Sequence, residues 1–373
     1  MRHLFVLAAL LFALPASAVT IDWVTVGDPG NPGELSGVGA GGIGPDAIVG
    51  GVDYTYKIGK YQVTYAQYAE FLNAVAATDT YFLYNLEMGP AYGGGIARSG
   101  TSGNYTYSAI AGRGDRPVNF VTFFMALRFA NWLNNGQGTA STETGAYTLL
   151  GGTPIPSNWL TVTRNVDAII FLPSEDEWYK AAYYDAGSLG YNPYPFADGF
   201  NGAVCEVPPG TTSHSANCHP AVGDLTDVGS YTSSPSEYGT FDQGGNVLEW
   251  NETRIHTWGR VVRGGCFICG ADASAASRRY IGSVVSLFEA DNQGFRVAMI
   301  PEPSTGLLLA TGLAGLAATG RRRDRGYRCR NEESPRNRIV PGAQLVAGER
   351  YARVFLPVPL VLPVLGNVTL RAA

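Results

Sequence analysis

Two glycine pairs constrain this chain more than any other feature. Gly244-Gly245 and Gly264-Gly265 lie within residues 241–269, FDQGGNVLEWNETRIHTWGRVVRGGCFIC. Glycine reaches backbone angles that other residues avoid, so each pair predicts a turn that an unbroken strand or helix cannot make. Asp242, Asn246 and Glu249 set oxygen donors beside the first turn, and the open carbonyls of a glycine turn add more. Surroundings of that kind suit a hard cation such as Ca²⁺. A glycine turn that merely leads into a core strand uses the same residues, and both readings stand on these residues alone.

With 48 glycines and only 15% charged residues in 373, the chain predicts a loop-rich fold rather than long solvated helices. Residues 21–26 and 55–63 read as strands. Residues 65–76 read as a helix capped by Thr64, with Tyr68, Phe71, Leu72 and Val75 on one face. Residues 122–134 form the clearest helix, where Phe124, Leu127, Arg128 and Trp132 recur at helical spacing; its aromatics read as core. Residues 173–184 read as a third helix, with Ser174 as N-cap and Glu177 completing a capping box. There Glu175, Asp176 and Glu177 read as first-turn acids favoured by the helix dipole, not as catalytic groups. Residues 81–114 and 187–236 read as irregular, and residues 136–159 as loop with a brief strand.

Sequence blocks recur in a recognisable order. YKIGKYQVT (56–64) precedes QYAEFL (67–72), then come RPVNFV (116–121) with ALRFANWL (126–133), and LPSEDEW (172–178). GGNVLEW (244–250), RVVRGG (260–265) and GFRVA (294–298) complete the series. Together, over residues 53–300, these blocks resemble the sulfatase-modifying-factor family, the formylglycine-generating enzyme domain. The resemblance implies an α+β, C-type-lectin-like fold, loop-rich with little regular secondary structure. It implies a calcium site with carboxylate oxygens from Asp242 and Glu249 and backbone carbonyls from Gly245 and Val247, clamping the fold rather than doing chemistry. Leu248 replaces the family's usual tryptophan. A second calcium site maps onto Asn217 and Cys218, with Asp224 or Asp227 as the downstream acid.

The resemblance also bears on oxidation chemistry. In active members two cysteines, five residues apart beyond the RGG turn, hold Cu(I) and activate O₂ to convert a substrate cysteine to formylglycine. Soft thiolates are what Cu(I) prefers. Cys269 falls on the first of these positions and Ser274 on the second, and serine is a poor Cu(I) ligand. Cys266 lies on the other side of Cys269. A rearranged copper pair, a structural disulfide and two small buried side chains are the readings of Cys266-x-x-Cys269. Iron-dependent relatives use a histidine set from an additional helical domain; this chain has four histidines and no room for that domain. Cys205 and Cys218 form a candidate loop staple, and Cys329 is left over. The order Cys205, His214, Cys218, His219 departs from zinc-site spacing.

Both ends read as addresses. Residues 1–18 read as a secretory signal: Arg2 and His3, an apolar run over 4–14, then Ala16-Ser17-Ala18 with cleavage after Ala18. Disulfides are permitted in an exported chain. Pro301-Glu302-Pro303, the apolar run 305–320 and Arg321-Arg322-Arg323-Asp324-Arg325 resemble the PEP-CTERM sorting signal of exopolysaccharide-producing Gram-negative bacteria. That implies transient anchoring in the inner membrane by a transmembrane helix, arginines on the cytoplasmic side. It also implies cutting by a sorting transpeptidase near Pro-Glu-Pro and delivery to the cell surface or extracellular matrix. Residues 326–373 continue past the usual end of such a signal and read as a disordered tail or a translated extension. Net charge is unevenly spread: residues 321–373 hold 11 Arg against 4 acids, leaving 15 Lys and Arg against 27 Asp and Glu elsewhere. That acidic body gives no footprint for nucleic acid.

Three functions follow. One is a copper oxidase making formylglycine on exported sulfatases. The second is a catalytically inactive, calcium-stabilised, lectin-like module that binds a surface polysaccharide or an exported protein. The third is a structural protein of the exopolysaccharide matrix. Ser274 in place of the second cysteine, and the sorting tail, favour the second.

Overall fold

Three short helices form where local signals are strongest. In a computed structural model that describes residues 18–284 and 290–301, α1 spans Tyr65–Val75, α2 Phe123–Asn134 and α3 Glu175–Tyr183. Each begins at a hydroxyl N-cap that satisfies an otherwise orphaned N–H. Thr64 accepts from Gln67, Thr122 from Met125 and Ser174 from Glu177, and each third residue reaches back to its cap. The secretory signal up to residue 17, the apolar run 305–320 and the tail lie outside the described residues. Among the described residues no helix is long and apolar enough to cross a membrane.

The apolar faces of α1 and α2 meet through aromatic rings. Phe71 packs edge-on against Phe129 at 5.4 Å between centroids, and Phe129 against Phe295 at 5.3 Å. All three are fully buried; for Phe71 and Phe129 the helical pattern predicts it. Such pairs add about 0.5–1.5 kcal/mol each beyond the area they bury.

Two four-stranded sheets carry the rest. In the first, Trp23–Val26 pairs with Tyr56–Gly59, which pairs with Ala298–Met299, which pairs with Ile170–Phe171. The two ends of the domain are thereby joined on one strand. In the second, Tyr280–Ser283, Gly259–Arg263, Leu248–His256 and Gln293–Gly294 lie in that order. The register sets Glu249 opposite Arg263 and beside Gly294. The remaining strands are small pairs within loops. One of them, Ile96–Ser99 with Thr106–Ala109, is a hairpin inside the stretch that the sequence suggests is all loop.

The acids of α3 stand in its first turn, and Glu177 completes the capping box, as the sequence suggests. Glu175 and Glu177 are also buried. Glu175 accepts from Arg263 at 2.9 and 2.5 Å and from Arg279 at 2.7 and 2.6 Å. Glu177 accepts from Arg164 at 2.9 and 2.6 Å and from Tyr54 at 2.7 Å. These arginines belong to distant segments, so α3 ties the fold together through charge as well as through its cap.

Candidate functional site

The glycine turns are left-handed or otherwise open only to glycine. Gly245 has φ +125°, and a Cβ there would stand 2.6 Å from the Asn217 carbonyl oxygen. Asp242 and Asn246 also take positive φ, near 60°, a conformation in which Asn and Asp are enriched. Gly245 N–H donates to the Gly264 carbonyl at 2.7 Å, so the two glycine turns are hydrogen-bonded to each other. Asn246 fastens the neighbouring loop: its Oδ1 accepts from Asn217 Nδ2 and Thr226 N–H, both at 3.1 Å. Gly245→Ala should therefore destabilise the domain by about 1–3 kcal/mol, read as a lower urea midpoint with an unchanged slope.

This geometry gathers oxygens around a single point. The Asp242, Gly245 and Val247 carbonyls and Glu249 Oε1 lie 3.0, 3.4, 3.1 and 3.0 Å from Nε2 of Gln62. Glu249 is fully buried and closely held. Arg296 Nε meets its Oε2 at 2.6 Å, Arg296 Nη2 its Oε1 at 2.7 Å, and Trp178 Nε1 its Oε2 at 2.7 Å. Arg296 also donates to the Gly59 and Phe241 carbonyls at 2.9 and 2.8 Å. The Asp242 carboxylate turns elsewhere, its Oδ2 accepting from Gly229 N–H at 2.6 Å. Burial pushes the Asp242 carboxyl up to about 6, against the opposing pull of that N–H and of Arg296.

Of the residues predicted for a first calcium site, all four are thus brought together. Asp242 presents its backbone carbonyl to the cluster, where a carboxylate oxygen was expected. Gln62, Trp178 and Arg296 complete the cluster, and sequence reasoning did not select them. They stand in the family-like blocks, but nothing local in those blocks marks them as neighbours of Glu249. Three backbone carbonyls and a carboxylate oxygen are the donor set that a hard cation takes, and the unpartnered buried Oε1 of Gln62 adds a further available oxygen. The residues fit Ca²⁺.

The second predicted set is only partly assembled. Asn217 Nδ2 donates to the Asp224 carbonyl at 2.9 Å, and Asn217 Oδ1 is buried without a partner. The Asp224 carboxylate, however, accepts from Arg113 at 2.8 Å and Arg116 at 2.6 Å. Cys218 is joined to Cys205 in a disulfide. His214 pairs through Nδ1 with Asp198 at 2.7 Å.

Beyond the second glycine pair, Cys266 and Cys269 form a disulfide. Cys266 is fully buried, and its sulfur accepts from Asn292 Nδ2 at 3.4 Å. Ser274 closes a 3₁₀ turn over Ala271–Ser274, its hydroxyl donating to the Ala271 carbonyl at 2.9 Å. Close to that turn lies a polar cleft of about 380 Å³, lined by Glu34, Tyr179, Tyr194, Asp272 and Arg278 among others.

Residues 52–300 match the family model described as the sulfatase-modifying factor enzyme 1-like domain. The chain belongs to this family. Its fold is the α+β, loop-rich fold of formylglycine-generating-enzyme-type proteins. Residues 300–323 match the PEP-CTERM protein-sorting motif, the mark of an exported protein handled by a sorting system. Among solved structures, the family's domain here is similar to Treponema denticola variable protein 1, at 20% identity and a TM-score of 0.50, covering 77% of this chain and 98% of that one. Two others are CarF, at 20% identity and TM-score 0.48 over 76% of this chain and 99% of that one, and PvdO from Pseudomonas aeruginosa. The latter is 20% identical with TM-score 0.41, covering 75% of this chain and 92% of that one. At 20% identity the likeness to the first concerns the fold alone. No curated protein matches the chain.

Proposed function

We propose that this sulfatase-modifying-factor domain is an exported, calcium-stabilised binding module that lacks the oxidase chemistry of active family members. The observation that carries the reading is the state of the sulfur positions. Cys266 and Cys269 share one disulfide, and Ser274 is the residue that the family resemblance sets against a second copper cysteine. A disulfide sulfur is not a thiolate, and a serine hydroxyl is a hard, neutral oxygen, so a pair of soft Cu(I) ligands is not assembled.

Calcium would be held by the Gly245 and Val247 carbonyls, Glu249 and Asp242. When bound, it supplies positive charge to a buried oxygen cluster. The protein's own residues do the clamping: the linked glycine turns fix the carbonyls, and Arg296 and Trp178 fix the carboxylate. Because Arg113 and Arg116 already neutralise Asp224, the calcium proposal is confined to this first cradle. The ligand we assign to the module is a surface polysaccharide or an exported protein. The polar cleft beside Ser274 is lined by carboxylates, a guanidinium and the partly exposed Tyr194, groups of the kind that bind a sugar. Residues 300–323 support processing by a sorting transpeptidase at Pro-Glu-Pro and delivery from there to the surface.

The test is a peptide assay. The exported protein is reduced, loaded with Cu(I) and incubated in air with a Cys-x-Pro-x-Arg sulfatase peptide, and the peptide is followed by mass spectrometry. The expected result is an unmodified cysteine. Conversion to formylglycine that disappears in Cys269→Ser would overturn the binding-module reading and establish an oxidase.

A further inference from the structure

The two ends of the Gln62 side chain are unequally served. Its Nε2 carries two hydrogens, yet four oxygens stand 3.0–3.4 Å from it. Its Oε1 is buried and has no hydrogen-bond partner. Buried polar atoms in folded proteins are nearly always paired, so an orphaned oxygen beside a surplus of acceptors needs a reason. The acceptors cannot easily disperse. Gly245 is fixed by its positive φ and by its bond to Gly264, and Glu249 is fixed by Arg296 and Trp178. Oxygens held this close repel one another unless something positive lies among them. Two amide hydrogens meet that need in part.

We propose that Gln62 is a two-state ligand of the cradle. In the cation-free protein its NH₂ group faces the oxygens and closes the cradle. With Ca²⁺ present the amide turns, and Oε1 joins the cradle as an additional oxygen ligand. The inference rests on the calcium reading above, and it adds a residue brought in from a different strand end, next to α1. One full charge on Arg296 beside the cluster opposes a divalent cation, which places the affinity in the weak range of extracellular calcium modules, about 10⁻⁴–10⁻³ M.

The experiment is calorimetric titration of Ca²⁺ into the chelator-treated exported protein, for wild type, Gln62→Met and Gln62→Glu. Tb³⁺ luminescence excited through Trp178, whose indole bonds Glu249, reports whether the cation sits at the cradle. The expected result is measurable binding by wild type, affinity at least tenfold weaker in Gln62→Met and at least tenfold tighter in Gln62→Glu. Sensitised Tb³⁺ emission should follow the same order. Equal affinity in wild type and Gln62→Met would overturn the role of Gln62 and leave calcium binding in place. Absence of binding by wild type up to about 10 mM, well above that range, would overturn the calcium reading itself. If Gln62→Met does not fold, Gln62→Glu decides alone: affinity unchanged from wild type overturns the proposal.

Discussion

Arg296→Met should lower the stability of the domain by about 3–5 kcal/mol, the usual cost of removing one partner from a buried ion pair. For a domain of this size that is on the order of 10 °C in melting temperature. Arg296 and Glu249 are both fully buried, and Arg296 contacts both carboxylate oxygens. Methionine roughly fills the space but leaves the Glu249 charge facing three carbonyls with only Trp178 and Gln62 as donors. It also strips the Gly59 and Phe241 carbonyls of their donor, so one substitution loosens the first sheet and the glycine turn together. Thermal melts with and without Ca²⁺ test both parts of the argument. The loss should be large in chelator and partly restored by millimolar Ca²⁺, since a cation in the cradle supplies the missing charge. A drop of less than about 1 kcal/mol, the range of an exposed pair, would show that the cluster is not closed to water.

Glu175→Ala should be at least as damaging, because it strands two arginines. Arg263 is fully buried and Arg279 nearly so, and Glu175 is the carboxylate that both contact. The expected loss is again about 3–5 kcal/mol, measured as the urea midpoint at pH 7. Glu175→Gln separates charge from packing. Burial would raise the Glu175 carboxyl, but Arg279 and Arg263 overcome it and hold it below its ordinary 4.5. A carboxyl depressed in the folded state stabilises it above the unfolded value, and that stability is lost as pH falls through the folded value. Stability measured downward from pH 4.5 should therefore fall less steeply in Glu175→Gln than in wild type. Glu177, likewise held below 4.5 with Arg164 as its partner, continues to supply part of the slope in that variant.

The elements that were legible in the sequence are those whose causes are local. A hydroxyl cap three residues before a backbone N–H, an apolar face at helical spacing and a glycine pair each act within a few residues. So Thr64 and Ser174 cap their helices where expected, and Gly245 turns the chain where expected. The hairpin at Ile96–Ser99 and Thr106–Ala109 is not legible because its four-residue strands each bury one apolar side chain, Ile96 and Tyr107, too few to carry a periodic signal.

The site was legible in its turn and not in its surroundings. The sequence by itself determined that Gly245, Val247 and Glu249 lie on one glycine-turned segment. Only the tertiary structure decided which charge meets which. It chose Arg296 for Glu249, two arginines for Glu175, and Arg113 with Arg116 for Asp224, and it brought Gln62 across a separation of 180 or more residues to the carbonyls of the turn. The physical reason is range. Backbone angles, caps and helical periodicity are set by near neighbours. A buried ion pair or an oxygen cradle is a meeting of distant segments, and the many arginines and acids of the chain are interchangeable in sequence until packing decides which of them are brought within a few ångströms.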